Sequence, residues 1–283
     1  MEINIRDIQL KELEILKEFI IVCNKLNVKY FLDSGTLLGC IRHEGFIPWD
    51  DDIDVSMPRE DYELFLKRGQ ELLPKRFFLQ TYETDPEYTM NFAKIRNSET
   101  TFIETTVKNL KINHGLYIDI FPIDGYKPNK KIKNFINKKI YTLCNLQINK
   151  KYILPNKDKN LKGKIQMLIS NILYGKKTIK QIIIKKDRIA KKYEYKNCDY
   201  VGIYCYSTVP ISKNYLEKEV FDAEYRKFED IPNASVPKKY DKYLKNIYGN
   251  YMKLPPKEKR VAHHYNEIID LEKSYKLYER KEK

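Results

Sequence analysis

No stretch of this sequence approaches the ~20 consecutive apolar residues needed to cross a bilayer, and Glu2 and Arg6 interrupt the N-terminus where an apolar signal core would lie. Both absences predict a protein made and kept in the cytoplasm. Cysteine is sparse: Cys23, Cys40, Cys144, Cys198 and Cys205 are scattered, odd in number and never spaced as CxxC. That pattern excludes a disulfide framework or a cysteine zinc site and fits reduced thiols. There is no internal repeat and no Gly/Ser-rich linker. Hydrophobic residues, at 42%, are plentiful enough for a sizeable core, which excludes a disordered chain.

Acidic residues are scarce in one place. Residues 127–200 hold 21 basic side chains and 4 acidic ones, whereas the rest of the chain holds 32 and 35. The net charge of +14 is therefore a property of one segment. No base-reading module accompanies it, so a specific nucleic-acid binder is not expected.

Apolar positions at helical spacing, from Leu10 through Phe19 to Leu26, predict a helix over 8–27. Strands are expected at 28–32, 53–57, 77–80, 92–96, 101–104 and 116–121. A short helix is expected from Leu37, and another over 59–73 that Pro74 stops. Helical runs near 131–149, 161–174 and 176–193 fill the basic segment, and a last helix is expected at 238–248. The fold class is α/β (α+β): a mixed-sheet catalytic core over 1–126, a basic helical insertion over 127–200, and a C-terminal segment, 201–283, completing the domain.

Four aspartates in five positions, Asp50-Asp51-Asp52-Ile53-Asp54, repel one another unless a cation answers them. Strand alternation puts Asp52 and Asp54 on one face, with Asp50 in phase if the strand begins early, and sets Asp51 aside in a turn. Such a carboxylate set suits a hard divalent cation, magnesium or manganese, that also takes phosphate oxygens. Upstream, Gly35-Thr36 between a strand and a helix can offer backbone N–H groups and a hydroxyl to a phosphate. Downstream, Asp119 lies in an apolar strand pattern, where burial without a partner would be costly. It is the expected third carboxylate, as ligand or general base, with Asp124 second and read as a turn residue. Arg42, Lys94 and Arg96 are the basic candidates for the phosphates. Glycine-polar turn, helix, then Asp-x-Asp on the next strand is the layout of the nucleotidyltransferase fold.

The run from Tyr30 to Gly39, then Ile41 to Asp54 with its Gly-x-Ile-Pro-Trp-Asp-Asp-Asp-Ile-Asp core, resembles the LicD family of phosphotransferases, whose distant relatives include fukutin and fukutin-related protein. The resemblance continues through Phe92–Arg96, Tyr117–Gly125, 237–248 and 254–264, leaving 127–200 without a recognisable motif. Ser34 stands where a glycine is often found. The resemblance implies transfer of a phospho-alcohol, phosphocholine foremost, from a CDP-activated donor such as CDP-choline to a hydroxyl of a glycan or lipid-linked glycan, with release of CMP. Teichoic acid, lipooligosaccharide and capsule are the implied acceptors. It places the family's metal aspartates on Asp52 and Asp54, the later aspartate on Asp119, and the motif's Lys and Arg on Lys94 and Arg96. It also retains His263 as a phosphate or acceptor contact. Trp49 is the one aromatic nominated for a choline cage. The lysine-rich helices match a peripheral contact with anionic membrane as well as a solvated subdomain. Two alternatives stay open: a nucleotidyltransferase, and a non-enzymatic protein binding anionic polymer or membrane.

Overall fold

The computed structural model describes residues 4–152, 161–205, 214–262 and 266–278. The chain begins with α1 (Ile5–Leu26), started by a capping box in which the Asn4 side chain accepts the Asp7 N–H and the Asp7 carboxylate accepts the Asn4 N–H. That box sets the start three residues before the apolar periodicity predicts. Then follow β1 (Phe31–Leu32), α2 (Ser34–His43), β2 (Asp54–Pro58), α3 (Arg59–Leu72), β3 (Phe77–Gln80), β4 (Ala93–Asn97), β5 (Thr101–Glu104) and β6 (Leu116–Tyr126). The central sheet has the order β1-β2-β6-β4-β3, with β2 and β6 parallel and the other pairs antiparallel. On alternate positions Val55, Met57, Ala93, Ile95, Ile118 and Ile120 are wholly buried and belong to the main core, together with residues of α1 and α3. Asp54, Lys94 and Asp119 occupy the opposite parity.

β6 outruns its expected end because Pro122 does no harm there. The Asp119 N–H bonds to Ile53 O on the β2 side. The nitrogen of Pro122, of opposite parity, therefore faces the other edge, where β4 has already ended opposite Ile120. The last residues of β6, Asp124 to Tyr126, pair with β7 (Tyr200–Gly202), which pairs in turn with β8 (Tyr215–Glu217). Asp124, expected in a turn, is thus a strand residue.

The insertion folds as α4 (Lys131–Tyr152), α5 (Leu161–Tyr174) and α6 (Ile179–Ala190), around a small core of Cys144, Ile148, Ile179, Ile182 and Ile183. Arg59 at the start of α3 ties it down. Its Nε and Nη2 meet the two Asp124 oxygens at 2.7 and 3.0 Å, and its Nη1 reaches Asp187 of α6 at 3.2 Å, with all three side chains buried. The C-terminal stretch forms a hairpin, β9 (Ala223–Phe228) and β10 (Ile231–Pro237), then α7 (Tyr240–Tyr248), and β11 (Asn266–Asp270) against β5. Periodicity misses the hairpin because β9 is almost wholly solvent-facing and charged, so it shows no apolar alternation.

Candidate active site

Parallel pairing of β2 and β6 sets Asp54 directly opposite Asp119, and β4 sets Lys94 opposite Asp119 on the other side. Lys94 Nζ lies 2.6 Å from Asp119 Oδ1 and 3.3 Å from the Tyr117 ring centroid. Just before β2, one carboxylate oxygen from each of Asp50, Asp51 and Asp52 lies within 4.8 Å of the other two. Asp50, Asp52, Asp54 and Asp119 line one cleft of about 1100 Å³. Asp51, set aside on strand phase, is indeed absent from the cleft lining, but not for that reason. β2 begins only at Asp54, so residues 51–53 have no strand alternation, and Asp51 is buried beside its neighbours.

Beneath this cluster lies a group that sequence reasoning missed. Glu12 of α1 is 1% exposed, and its Oε2 has no hydrogen-bond partner among the described residues. Burial, followed by the charges of Asp52, Asp51, Asp50 and Asp119, pushes its carboxyl well above the usual range. Burial and then Asp52 and Asp119 do the same to Asp54. The signal was available: Glu12 falls four residues from both Ile8 and Leu16, inside the apolar stripe of α1. An all-oxygen donor set with an orphaned buried carboxylate oxygen fits a hard divalent cation.

These carboxyls make metal-free stability depend on pH. Folding raises both pKa values, so their contribution is complete below about pH 4 and lost as pH climbs through the folded values. A divalent cation held by these carboxylates would answer the same charge. The gain in Tm on adding MgCl2 is therefore larger at pH 8 than at pH 5.5, as scanning fluorimetry will report; equal gains would contradict this account.

Gly35, at the start of α2, lines the cleft. A Cβ there would stand 2.6 Å from Asp50 Oδ2, so only glycine lets this carboxylate sit against the helix start. Gly35→Ala displaces Asp50 and lowers kcat by about 10-fold or more while the protein still folds, measurable by parallel kinetics and circular dichroism. Thr36 is buried outside the lining, and its Oγ1 accepts the Asp54 N–H at 2.8 Å. It anchors β2 rather than presenting its hydroxyl to a phosphate. Asp33, also missed, caps this junction: its N–H bonds Asp54 O, and its carboxylate accepts from the hydroxyl of Tyr243 on α7 at 2.6 Å.

Arg42 lines the cleft, donating to Tyr251 O, with Lys253 and Lys259 nearby on the same lining. Arg96 does not reach it. Its guanidinium is 1% exposed and committed to Gln80 Oε1 at 2.6 Å and Gly115 O at 2.7 Å, so the expected phosphate contact is corrected to a strand-linking role. Lys94 shares that strand face but is buried against Asp119 and Tyr117 rather than lining the cleft. Trp49 lines the cleft with the Arg260 guanidinium 5.4 Å from its ring centroid. His263 lies outside the described residues.

A sequence model described as LicD/FKTN/FKRP, nucleotidyltransferase domain, matches residues 27–165. The lipopolysaccharide cholinephosphotransferase LicD of Haemophilus influenzae is 35% identical over 276 residues, 95% of this chain and 99% of that protein. The chain belongs to the LicD family. An uncharacterised protein of Rickettsia prowazekii is 34% identical over 113 residues, 40% of this chain and 39% of that protein. The human ribitol 5-phosphate transferase FKRP is 45% identical over 40 residues, 14% of this chain and 8% of that protein. This LicD-family chain is thus a phosphotransferase, and the non-enzymatic alternative falls away. The likeness also enters the insertion, where the sequence carries no recognisable motif.

Proposed function

We propose that this LicD-family enzyme transfers phosphocholine from CDP-choline to a sugar hydroxyl of a lipopolysaccharide-type or related surface glycan, releasing CMP. One observation carries the reading: Asp50, Asp52, Asp54 and Asp119 converge on a single cleft whose rim also carries Arg42, Lys253 and Lys259. Asp50, Asp52 and Asp54 would hold magnesium or manganese, which supplies Lewis-acid polarisation of the donor diphosphate when bound. Asp119, held by Lys94, accepts the proton of the attacking hydroxyl. That oxygen forms a bond to the phosphorus distal to the nucleoside, and the bond from this phosphorus to the CMP oxygen breaks. Arg42 and the rim lysines draw the anionic donor in and balance its charge. Trp49, Phe92, Phe121 and Tyr248 on the lining suit a quaternary ammonium head group.

The test is a donor panel. The protein with MgCl2 and CDP-choline, CDP-ribitol, CDP-glycerol or CDP-ethanolamine is assayed for CMP. Release from CDP-choline alone supports the reading, and release from another donor alone replaces the head group. Pyrophosphate release from CTP would favour nucleotidyl transfer instead.

A peripheral contact with the inner face of an anionic membrane completes the proposal. No helix among the described residues is long and apolar enough to cross a membrane. Yet α5 buries only Ser170, leaving Leu161, Ile165, Leu168 and Ile172 at 51–75% exposure within the lysine-rich segment. Ile165→Glu combined with Leu168→Glu abolishes co-sedimentation with phosphatidylglycerol-containing vesicles and leaves CMP release from soluble donor unchanged. Binding that survives the pair removes this part of the proposal.

A further inference from the structure

The cleft has a second wall, contributed by the insertion, that the aspartate chemistry does not use. Asn145 and Asn149 of α4 and Lys186 of α6 line it. Lys186 is only 5% exposed, and its Nζ lies 4.9 Å from the Tyr141 ring centroid. Tyr141 is itself fixed by donating its hydroxyl to Asn91 Oδ1 at 2.7 Å. Among the described residues no carboxylate stands within ion-pair distance of Lys186. The adjacent Asp187 is turned away, bonded to Arg59 and Lys191.

A buried ammonium is ordinarily paired with an anion, because desolvation is otherwise uncompensated. An aromatic face offsets part of that cost. Burial pushes the Lys186 amine down to about 8, as expected of an amine whose anionic partner is missing. A lysine kept only for its stem would extend its head to water rather than hold it inside a substrate-sized cleft. In a phosphotransferase, the anion that enters such a cleft is a phosphate.

We propose that Lys186 is a phosphate-binding residue of this cleft, flanked by the Asn145 and Asn149 amides, so that the insertion supplies part of the substrate site. The proposal rests on the phosphotransferase reading but not on choline as the head group. Lys186 lies beyond residue 165, where the family match ends.

The experiment uses the full chain in MgCl2 and two probes: CDP for the donor's phosphates and glucose 6-phosphate for a phosphorylated sugar acceptor. In the wild type, the labelling rate of Lys186 by an amine reagent is followed by mass spectrometry. A saturating probe that pairs with the amine slows labelling several-fold. In titration calorimetry, Lys186→Met, which keeps the stem and removes the charge, weakens that probe about 10-fold or more, and Lys186→Arg recovers part of the loss. An effect with CDP assigns the phosphate to the donor; an effect with glucose 6-phosphate alone assigns it to the acceptor. If neither probe protects Lys186 and Lys186→Met binds both as the wild type does, the proposal is overturned. Neither measurement requires turnover, so failure of the phosphocholine reading, seen as absent CMP release from CDP-choline, is a separate result.

Discussion

Replacing Asp54 by Asn abolishes transfer, lowering kcat by about 10³-fold or more, while the metal-free protein melts no lower than the wild type. The first half follows from position. Asp54 lines the cleft opposite Asp119; on the proposed metal assignment, losing this oxygen ligand removes several kcal/mol of charge stabilisation in the transition state. The second half follows from repulsion. Burial and the charges of Asp52 and Asp119 work against ionised Asp54 in the fold, and Asn removes that conflict at nearly constant volume. The same exchange at Asp119 behaves differently, because it leaves Lys94 buried 2.6 Å from an amide instead of an anion and lowers the Tm. CMP release and scanning fluorimetry on both variants, with and without MgCl2, check the pair. Activity of Asp54→Asn within 10-fold of the wild type would sink the metal assignment.

Arg59→Ala destabilises by about 3–5 kcal/mol, because it strands the buried Asp124 carboxylate and leaves Asp187 with Lys191 as its remaining cation. Asp124 accepts both bonds of a fork–fork pair and is 1% exposed, and Asp187 takes the remaining nitrogen. With Arg59 in place, the Asp124 and Asp187 charges raise its pKa above the usual arginine value despite burial. Without it, Asp124 inside β6 and Asp187 on α6 repel at close range. Pairing Arg59→Met with Asp124→Leu restores most of the loss, since an isosteric apolar pair leaves fewer buried charges unanswered. Urea unfolding of the single and double variants measures this. A loss under 1 kcal/mol for Arg59→Ala would show that the network contributes little. Because Asp187 directly follows Lys186 on α6, Arg59→Ala also loosens the insertion wall of the cleft.

Much of the core was legible because its elements announce themselves locally. The α1 stripe, the β3 and β5 runs and the three insertion helices follow from periodicity within a few residues. Failures came where local rules met a neighbour. Pro122 reads as a strand end, yet continues β6 because the edge it disappoints has no partner. The charged strand β9 of the C-terminal hairpin shows no apolar alternation, because nearly all of it is left to solvent. Strand phase extended one turn too far upstream, and so set Asp51 apart from Asp50 and Asp52.

The sequence by itself determined the clustering of carboxylates in the aspartate turn, the glycine that precedes it and the family, because these depend on short runs whose residue types are constrained together. Tertiary structure alone decided which basic groups face the cleft. Lys94 and Arg96 share a strand face, yet their charges are taken by Asp119, Gln80 and a backbone carbonyl, while Lys186, about ninety residues away in sequence, reaches the lining. Pattern reading reports where a charge can point. Which anion answers it depends on groups that only folding brings within a few ångströms, and the same holds for Glu12, whose repulsion by four distant aspartates no local pattern records.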